Sequence, residues 1–180
     1  MGRTADYSKE RCAIAAALEV VGDPWALLIV RDAFWGVRRF EDWRERLGIA
    51  RNVLASRLKQ LVEHGVFEKR RYSERPPRFE YRLTSKGRDL YPVLMTLTAW
   101  GDRHAYAGSS PVRLVHAACG KELRPRIVCS GCGEPVPPQD IRREHGGALT
   151  VGEALAAQAA ARVAAMNPPP STRDPAEAGS

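Results

Sequence analysis

Residues 12 to 104 are dense in apolar positions, and the spacing of those positions changes along the way. "CAIAAALEVV" reads as a helix that ends at Gly22. Asp23 and Pro24 then form a helix start, a capping carboxylate followed by proline at the first helical position. "PWALLIVRDAF" is the second helix. Phe40, Trp43 and Leu47 recur at i, i+3 and i+7, so "RFEDWRERL" is a third, amphipathic helix, ended by Gly48. The short turn "GIA" leads straight into "RNVLASRLKQLVEH", closed by Gly65.

That fourth helix has two faces. Leu54, Leu58, Leu61 and Val62 form an apolar stripe at i, i+4, i+7 and i+8. Arg51, Asn52, Ala55, Ser56 and Lys59 fall on the opposite side, which is small, polar and basic. Two helices joined by a tight turn, the second with an exposed polar-basic face, form the helix-turn-helix pattern. Behind it, "VFEKRRY" and "RFEYRLT" read as two strands. Phe79, Tyr81 and Leu83 alternate with Glu80 and Arg82, the period of a half-buried strand. "SERPPR" connects them, and its prolines protect the hairpin edge. The pattern predicts a winged helix. "TSKGRDLYPVLMTLTAWGDRH" is expected as one long helix capped by Thr84 or Ser85. Its stripe is Leu90, Leu94, Leu97 and Trp100 or Gly101. Trp25, Trp43 and Trp100 are expected in the core, with Trp35 at a helix end. The long helix exceeds what a compact winged helix needs, and a dimer seam with the first helix is its expected use.

The rest of the chain has a different texture. The expected division is a winged helix-turn-helix domain over 1–108, a knuckle or ribbon-like module over 109–145, a helix over 146–166 and a disordered tail over 167–180. The fold class is mainly α, of the α+β kind: a winged helix-turn-helix with a small zinc-ribbon-like C-terminal extension. No apolar run is long enough to span a bilayer, and the N-terminus has no secretory pattern. The cytoplasm is the expected compartment.

Charge sharpens this picture. The net charge is +7. Residues 38–88 hold 15 Lys+Arg against 7 Asp+Glu, leaving 13 against 14 elsewhere. The whole positive excess sits in the predicted motif and wing, which is the footprint of a polyanion partner. No glycine-rich phosphate loop, nucleophile elbow or supported carboxylate pair is present, so no enzymatic activity is expected.

The ordered features are the cysteine before the first helix, Gly22-x-x-Trp25, "RRF", "RLKQLVEHG", the wing "RPPRFEYRLTSKG" and a closing Trp-Gly. Over residues 10–106 they resemble the HxlR family of bacterial winged helix-turn-helix transcriptional regulators. The resemblance implies a homodimer on an inverted-repeat operator in double-stranded DNA, with repression as the default output. Arg51, Asn52, Ser56 and Lys59 would then face the major groove. Arg70, Arg71, Arg75 and Arg78 would serve the phosphates and the minor groove, and Arg38 and Arg39 would clamp phosphates beside the motif. Cys12 matches the family's N-terminal cysteine, which some members use to sense oxidants or electrophiles. A redox or small-molecule effector would act there; the competing reading is a small buried hydrophobe.

The remaining cysteines lie in "HAACGKELRPRIVCSGCG". His116-x-x-Cys119 and Cys129-x-x-Cys132 offer four zinc-type ligands in two knuckles, each followed by glycine. A structural zinc is the expected cofactor, with "GKELRPRIV" forming a hairpin between the pairs. A redox dithiol and a metal-free knuckle are the alternatives. Whole-protein rivals are a thiol-redox protein using Cys129 and Cys132, or an adaptor that binds a partner through the knuckles.

Overall fold

The structure is a computed structural model that describes residues 6–144, 146–147 and 149–166. His145 and the 167–180 tail lie outside the described residues. The chain gathers into two compact units: Val20–Gly147, and a smaller one in which the segment up to Glu19 joins the segment from residue 148 onward. The expected stretch 1–108 is thus divided at Glu19. Helix α1 (Ala13–Val21) crosses the boundary.

The larger unit continues with α2 (Pro24–Phe34), α3 (Phe40–Leu47), α4 (Arg51–Glu63), β1 (Phe67–Ser73), β2 (Arg78–Leu83), α5 (Ser85–Arg88) and α6 (Tyr91–Ala105). Asp23 caps α2: its carboxylate accepts the Trp25 N–H at 2.9 Å, with proline in the first turn. Gly48, at φ 59°, turns the chain out of α3 in the left-handed region that glycine tolerates. Ile29, Val30, Trp43, Leu54, Leu58, Leu61, Val66 and Phe67 are buried and form the heart of the core. Trp43 joins its layers. Its indole N–H donates to the Ile29 carbonyl at 3.1 Å, and its ring meets Phe67 and Tyr81 edge-on at 5.8 and 6.1 Å.

The two strands pair antiparallel from Phe67↔Leu83 to Arg71↔Phe79, with an irregularity before Ser73. The expected alternation is blurred near the core, where Glu80 and Arg82 are half-buried along with Tyr81 and Leu83. It fails toward the tip, because the hairpin extends past the core and leaves Phe79 41% exposed. The sequence read two strands; a third segment joins them. Arg38 O accepts the Tyr81 N–H at 2.8 Å, and Arg39 bridges Glu80.

The helix expected over 84–104 is two helices. Proline lacks an N–H and its ring clashes with the carbonyl four residues earlier. Pro92 therefore sits in the first turn of α6, and the chain restarts at Tyr91. Thr84 caps α5, accepting the Gly87 N–H at 3.1 Å and donating its hydroxyl to the Gly65 carbonyl at 2.6 Å. The expected stripe of α6 is also corrected. Leu94 is buried, but Leu97 and Trp100 are 47% and 64% exposed, so Trp100 is not a core residue of this unit. Val93, Leu97 and Trp100 share one outward face at i, i+4 and i+7.

In the smaller unit the Glu10 and Ser8 carbonyls accept the Val151 and Gly152 N–H groups at 2.8 and 2.9 Å. They occupy donors at the start of α7 (Val151–Met166). Thr150 and Glu153 complete a capping box there, the Glu153 carboxylate taking the Thr150 N–H at 2.8 Å. The helix therefore begins at Val151, inside the expected 146–166. Among the described residues, no single helix is long and apolar enough to cross a membrane.

Gly87 packs on the chain reversal after α4. A methyl group there would press on the Val66 carbonyl and lie 2.9 Å from a Leu83 methyl carbon. Gly87→Ala is expected to cost about 1–3 kcal/mol through overpacking, read as a lower midpoint in urea denaturation. An unchanged midpoint would show that this reversal is not tightly set.

Candidate nucleic-acid interface

Helix α4 buries one face and offers the other. Leu54, Leu58 and Leu61 are buried, while Arg51, Asn52, Ala55, Ser56 and Lys59 are all exposed. Val62, the fourth position of the expected apolar stripe, is only half-buried.

Two ion pairs fix the helices beneath it. Asp23 caps α2 with one carboxylate oxygen and with the other pairs Arg57 of α4 at 2.8 Å. Both side chains are largely buried, and Arg57 also donates to Gln60 at 2.8 Å. At the far end of α2, the buried Asp32 carboxylate accepts from Arg31 Nε at 2.9 Å and lies 3.6 Å from Arg46 Nε of α3. Both guanidinium groups lie over the exposed Trp35 ring, at 5.1 and 6.0 Å. The sequence identified neither carboxylate as an inter-helix anchor. The signal was a carboxylate within an otherwise apolar helix, or just before it, with arginine one helix away.

The remaining predicted contacts, Arg38, Arg39, Arg70, Arg71, Arg75 and Arg78, are also exposed. They fall into two groups. Arg51 pairs with Glu41 and stacks on Phe40. Lys59 pairs with Glu63 at 3.7 Å, Arg70 with Glu68 at 2.6 Å and Arg71 with Glu74 at 3.1 Å. Arg38, Arg75 and Arg78 show no carboxylate partner among the described residues, and Arg39 lies over the Tyr72 ring at 5.1 Å. Lys69, which the sequence reading passed over, stands over the exposed Phe79 ring at 4.2 Å on the same strand pair. Its place opposite an alternating aromatic was the available clue.

The Cys/His stretch forms two separate hairpins. His116 N donates to Lys121 O at 2.8 Å, Gly120 N to His116 O at 2.8 Å and Leu123 N to Leu114 O at 2.8 Å. Thirteen residues later, Cys129 N donates to Glu134 O at 2.8 Å, Gly133 N to Cys129 O at 2.8 Å and Val136 N to Ile127 O at 3.0 Å. The hairpin expected over 120–128 is therefore replaced by one in each knuckle. Gly120 and Gly133, at φ 69° and 78°, turn the chain back just after each second cysteine, so each strand pairs with the one leading into its own knuckle. The first ligand pair is closed: His116 Nδ1 lies 3.3 Å from Cys119 Sγ. The Cys129 thiol is held below its ordinary pKa by the backbone N–H groups of Cys132 and Gly131 and by the Cys132 side chain. Among the described residues, no three His, Cys, Asp or Glu side chains are drawn into one cluster. Cys12 is exposed just before α1, its carbonyl accepting the Ala16 N–H at 2.9 Å.

A tight helix pair with an outward polar-basic second helix, followed by a two-stranded wing edged by a third segment, defines a winged helix-turn-helix DNA-binding protein. The model of the HxlR-like helix-turn-helix family matches residues 20–109, and the chain belongs to that family of transcriptional regulators. An HTH-type transcriptional regulator of Mycobacterium tuberculosis is 45% identical over 134 residues, which is 74% of this chain and 85% of that protein. The crystal structure of PA1607, described as a transcription factor, is similar with a TM-score of 0.70 and 40% identity over 79% of this chain and 100% of its own. A second such structure, PA1374 from Pseudomonas aeruginosa, has a TM-score of 0.57 and 41% identity over 77% and 95%.

The Asp23 anchor can be tested in two parts. Asp23→Ala is expected to cost roughly 2–4 kcal/mol: about 1 for the helix cap, the rest for stranding a largely buried arginine. Asp23→Ser restores a capping oxygen without charge and should recover only the first part. Equal urea midpoints for the wild type and Asp23→Ala would show that Asp23 does not anchor α4.

Proposed function

We propose that the protein binds an inverted-repeat operator as a homodimer, with α4 in the major groove and the wing along the flanking backbone, and that it represses transcription by occupying that site. The observation that carries this reading is the division of α4 into a buried leucine face and an exposed Arg51-Asn52-Ser56-Lys59 face. Such a helix leaves base-reading side chains free only on the side away from its core. Asn52, in the first turn, has the amide geometry that reads adenine. Among the described residues, Arg38, Arg39, Arg75 and Arg78 have no carboxylate to give up and are the phosphate contacts of choice. Two-fold symmetry would set the half-sites about 34 Å apart, or a multiple of that.

The outward apolar faces support the dimer. Ile14 and Leu18 on α1 are exposed at i and i+4, and Val93, Leu97 and Trp100 form the outward stripe of α6. Covering a large apolar side chain contributes about 1.5–3 kcal/mol, so a second copy seated on the α6 stripe gains substantially.

Two measurements test the reading. Arg75→Ala should weaken operator and non-operator DNA alike and lower the slope of log K against log salt by about 0.9. Asn52→Ala should cost about 1–3 kcal/mol at one base position and leave the salt slope unchanged. Salt-independent binding would remove the phosphate assignment. Separately, Leu97→Asp is expected to give monomers in sedimentation analysis, with a matching loss of operator affinity; an unchanged dimer would place the seam elsewhere.

A further inference from the structure

The helix-turn-helix reading leaves the region after α6 unused, yet that region is ordered in a specific way. Residues 114–123 and 127–136 are two copies of one hairpin. The three backbone hydrogen bonds of the first recur in the second at a constant offset of thirteen residues, as do the isolated bridges Val115↔Glu122 and Val128↔Pro135. His116 coincides with Cys129 in the repeat, and Cys119 coincides with Cys132. Every one of the four side chains is a zinc-type donor.

Little apolar burial accounts for this order, Leu114 and Leu123 being only half-buried. No described residue between Gly101 and Gly147 is buried. Val115, Ile127 and Val128 are each at least half exposed. Toward α6 lies not a packed contact but an open groove of about 650 Å³, lined by Met95, Ala99 and Asp102 on one side and Leu114 and Leu123 on the other. Modules too small to build a core are held by metals or disulfides, and all four cysteines are free thiols.

The donor spacing within the first knuckle suits a metal, while among the described residues the two pairs are not drawn into one cluster. Two ligands at about 2.0 and 2.3 Å from a tetrahedral zinc stand about 3.5 Å apart, and His116 Nδ1 and Cys119 Sγ stand 3.3 Å apart. Only Arg124, Pro125 and Arg126 separate the hairpins, so Leu123 and Ile127 lie at most about 14 Å apart along a fully extended chain.

We propose that the two knuckles share one zinc ion, ligated by His116, Cys119, Cys129 and Cys132, and that this ion supplies the link between hairpins that burial does not. Four protein ligands leave no open position, so the site is structural rather than catalytic. Binding releases the thiol protons as the thiolates form.

The test uses the full-length chain, free of any affinity tag and expressed with zinc supplied. Elemental analysis should find about one zinc per chain, falling to near zero in Cys129→Ser and in Cys119→Ser. The DNA-binding unit has its own core, so both variants should keep its urea midpoint. Stripped wild-type protein given cobalt should develop the visible absorption of a thiolate-bound tetrahedral ion, and Cys129→Ser should not. Metal-free wild type that takes up no cobalt would overturn the proposal. So would zinc retained in full by both variants, which would mean the metal is held elsewhere.

Discussion

Helix α4 can bury only one of its faces, and the rest of the structure follows from that constraint. Leu54, Leu58 and Leu61 commit one side to Ile29, Trp43 and Phe67, which leaves the arginine-asparagine-serine-lysine side no choice but to face outward. Burial alone fixes the helix's roll about its axis. It does not fix its slide along that axis, since a leucine stripe at one-turn spacing meets its neighbours almost as well one turn away. The Asp23–Arg57 pair removes that freedom. An ion pair with both partners largely buried is costly to break, because it strands a charge, so the pair works as a register pin more than as a source of net stability. The side chains that would meet a base edge are therefore held by contacts on the helix's opposite side.

The interface cations are not uniformly available. Arg51, Lys59, Arg70 and Arg71 each arrive with a carboxylate from the same surface. Exposed pairs of this kind contribute about 0–1 kcal/mol, so a phosphate can displace the carboxylate at little cost. On the proposed interface, the displaced Glu41, Glu63, Glu68 and Glu74 would then stand close to the DNA backbone, and an approach that gains no base contacts would still bear their repulsion. In that arrangement the acidic residues interspersed through 38–88 would lower indiscriminate binding more than binding at a site where α4 fits. Net charge alone describes this surface poorly; what matters is which cations are already occupied.

Most of the winged helix was legible in the sequence because its signals are local. A capping Asp before Pro, a glycine after each helix and the apolar periods place α2, α3, α4 and both strands to within a residue or two. What was not legible depended on distant partners. The segment at Arg38 and Arg39 is too short to carry a strand period, and it joins the sheet only because Tyr81 is there to donate to it. The pairing of Ser8 and Glu10 with the start of α7 spans almost the whole chain. The break between α5 and α6 was visible as Pro92, but its consequence was underweighted: a proline in the first turn is harmless to its own helix and decisive for where that helix starts. Trp100 was misplaced for a different reason. Its spacing marks an apolar stripe correctly, but a stripe does not say whether its partner belongs to the same chain.

The knuckles show that same limit from the other side. Their ligand spacing is visible in the sequence, yet the equivalence of the two hairpins only becomes plain in the backbone hydrogen bonds. A repeat with matched hydrogen bonds and no buried residue cannot be explained by the forces that hold α2, α3 and α4 together. Two hairpins of this length, isolated in water, are marginal at best, because ordering each residue costs about 1–2 kcal/mol of backbone entropy. In the proposed site, one ion coordinated by both halves would replace a core with four strong, directional bonds and need only four positions to be specified. Such a link would let the rest of the module stay exposed and rich in arginine and proline, and would make its fold depend on metal while that of the DNA-binding unit does not.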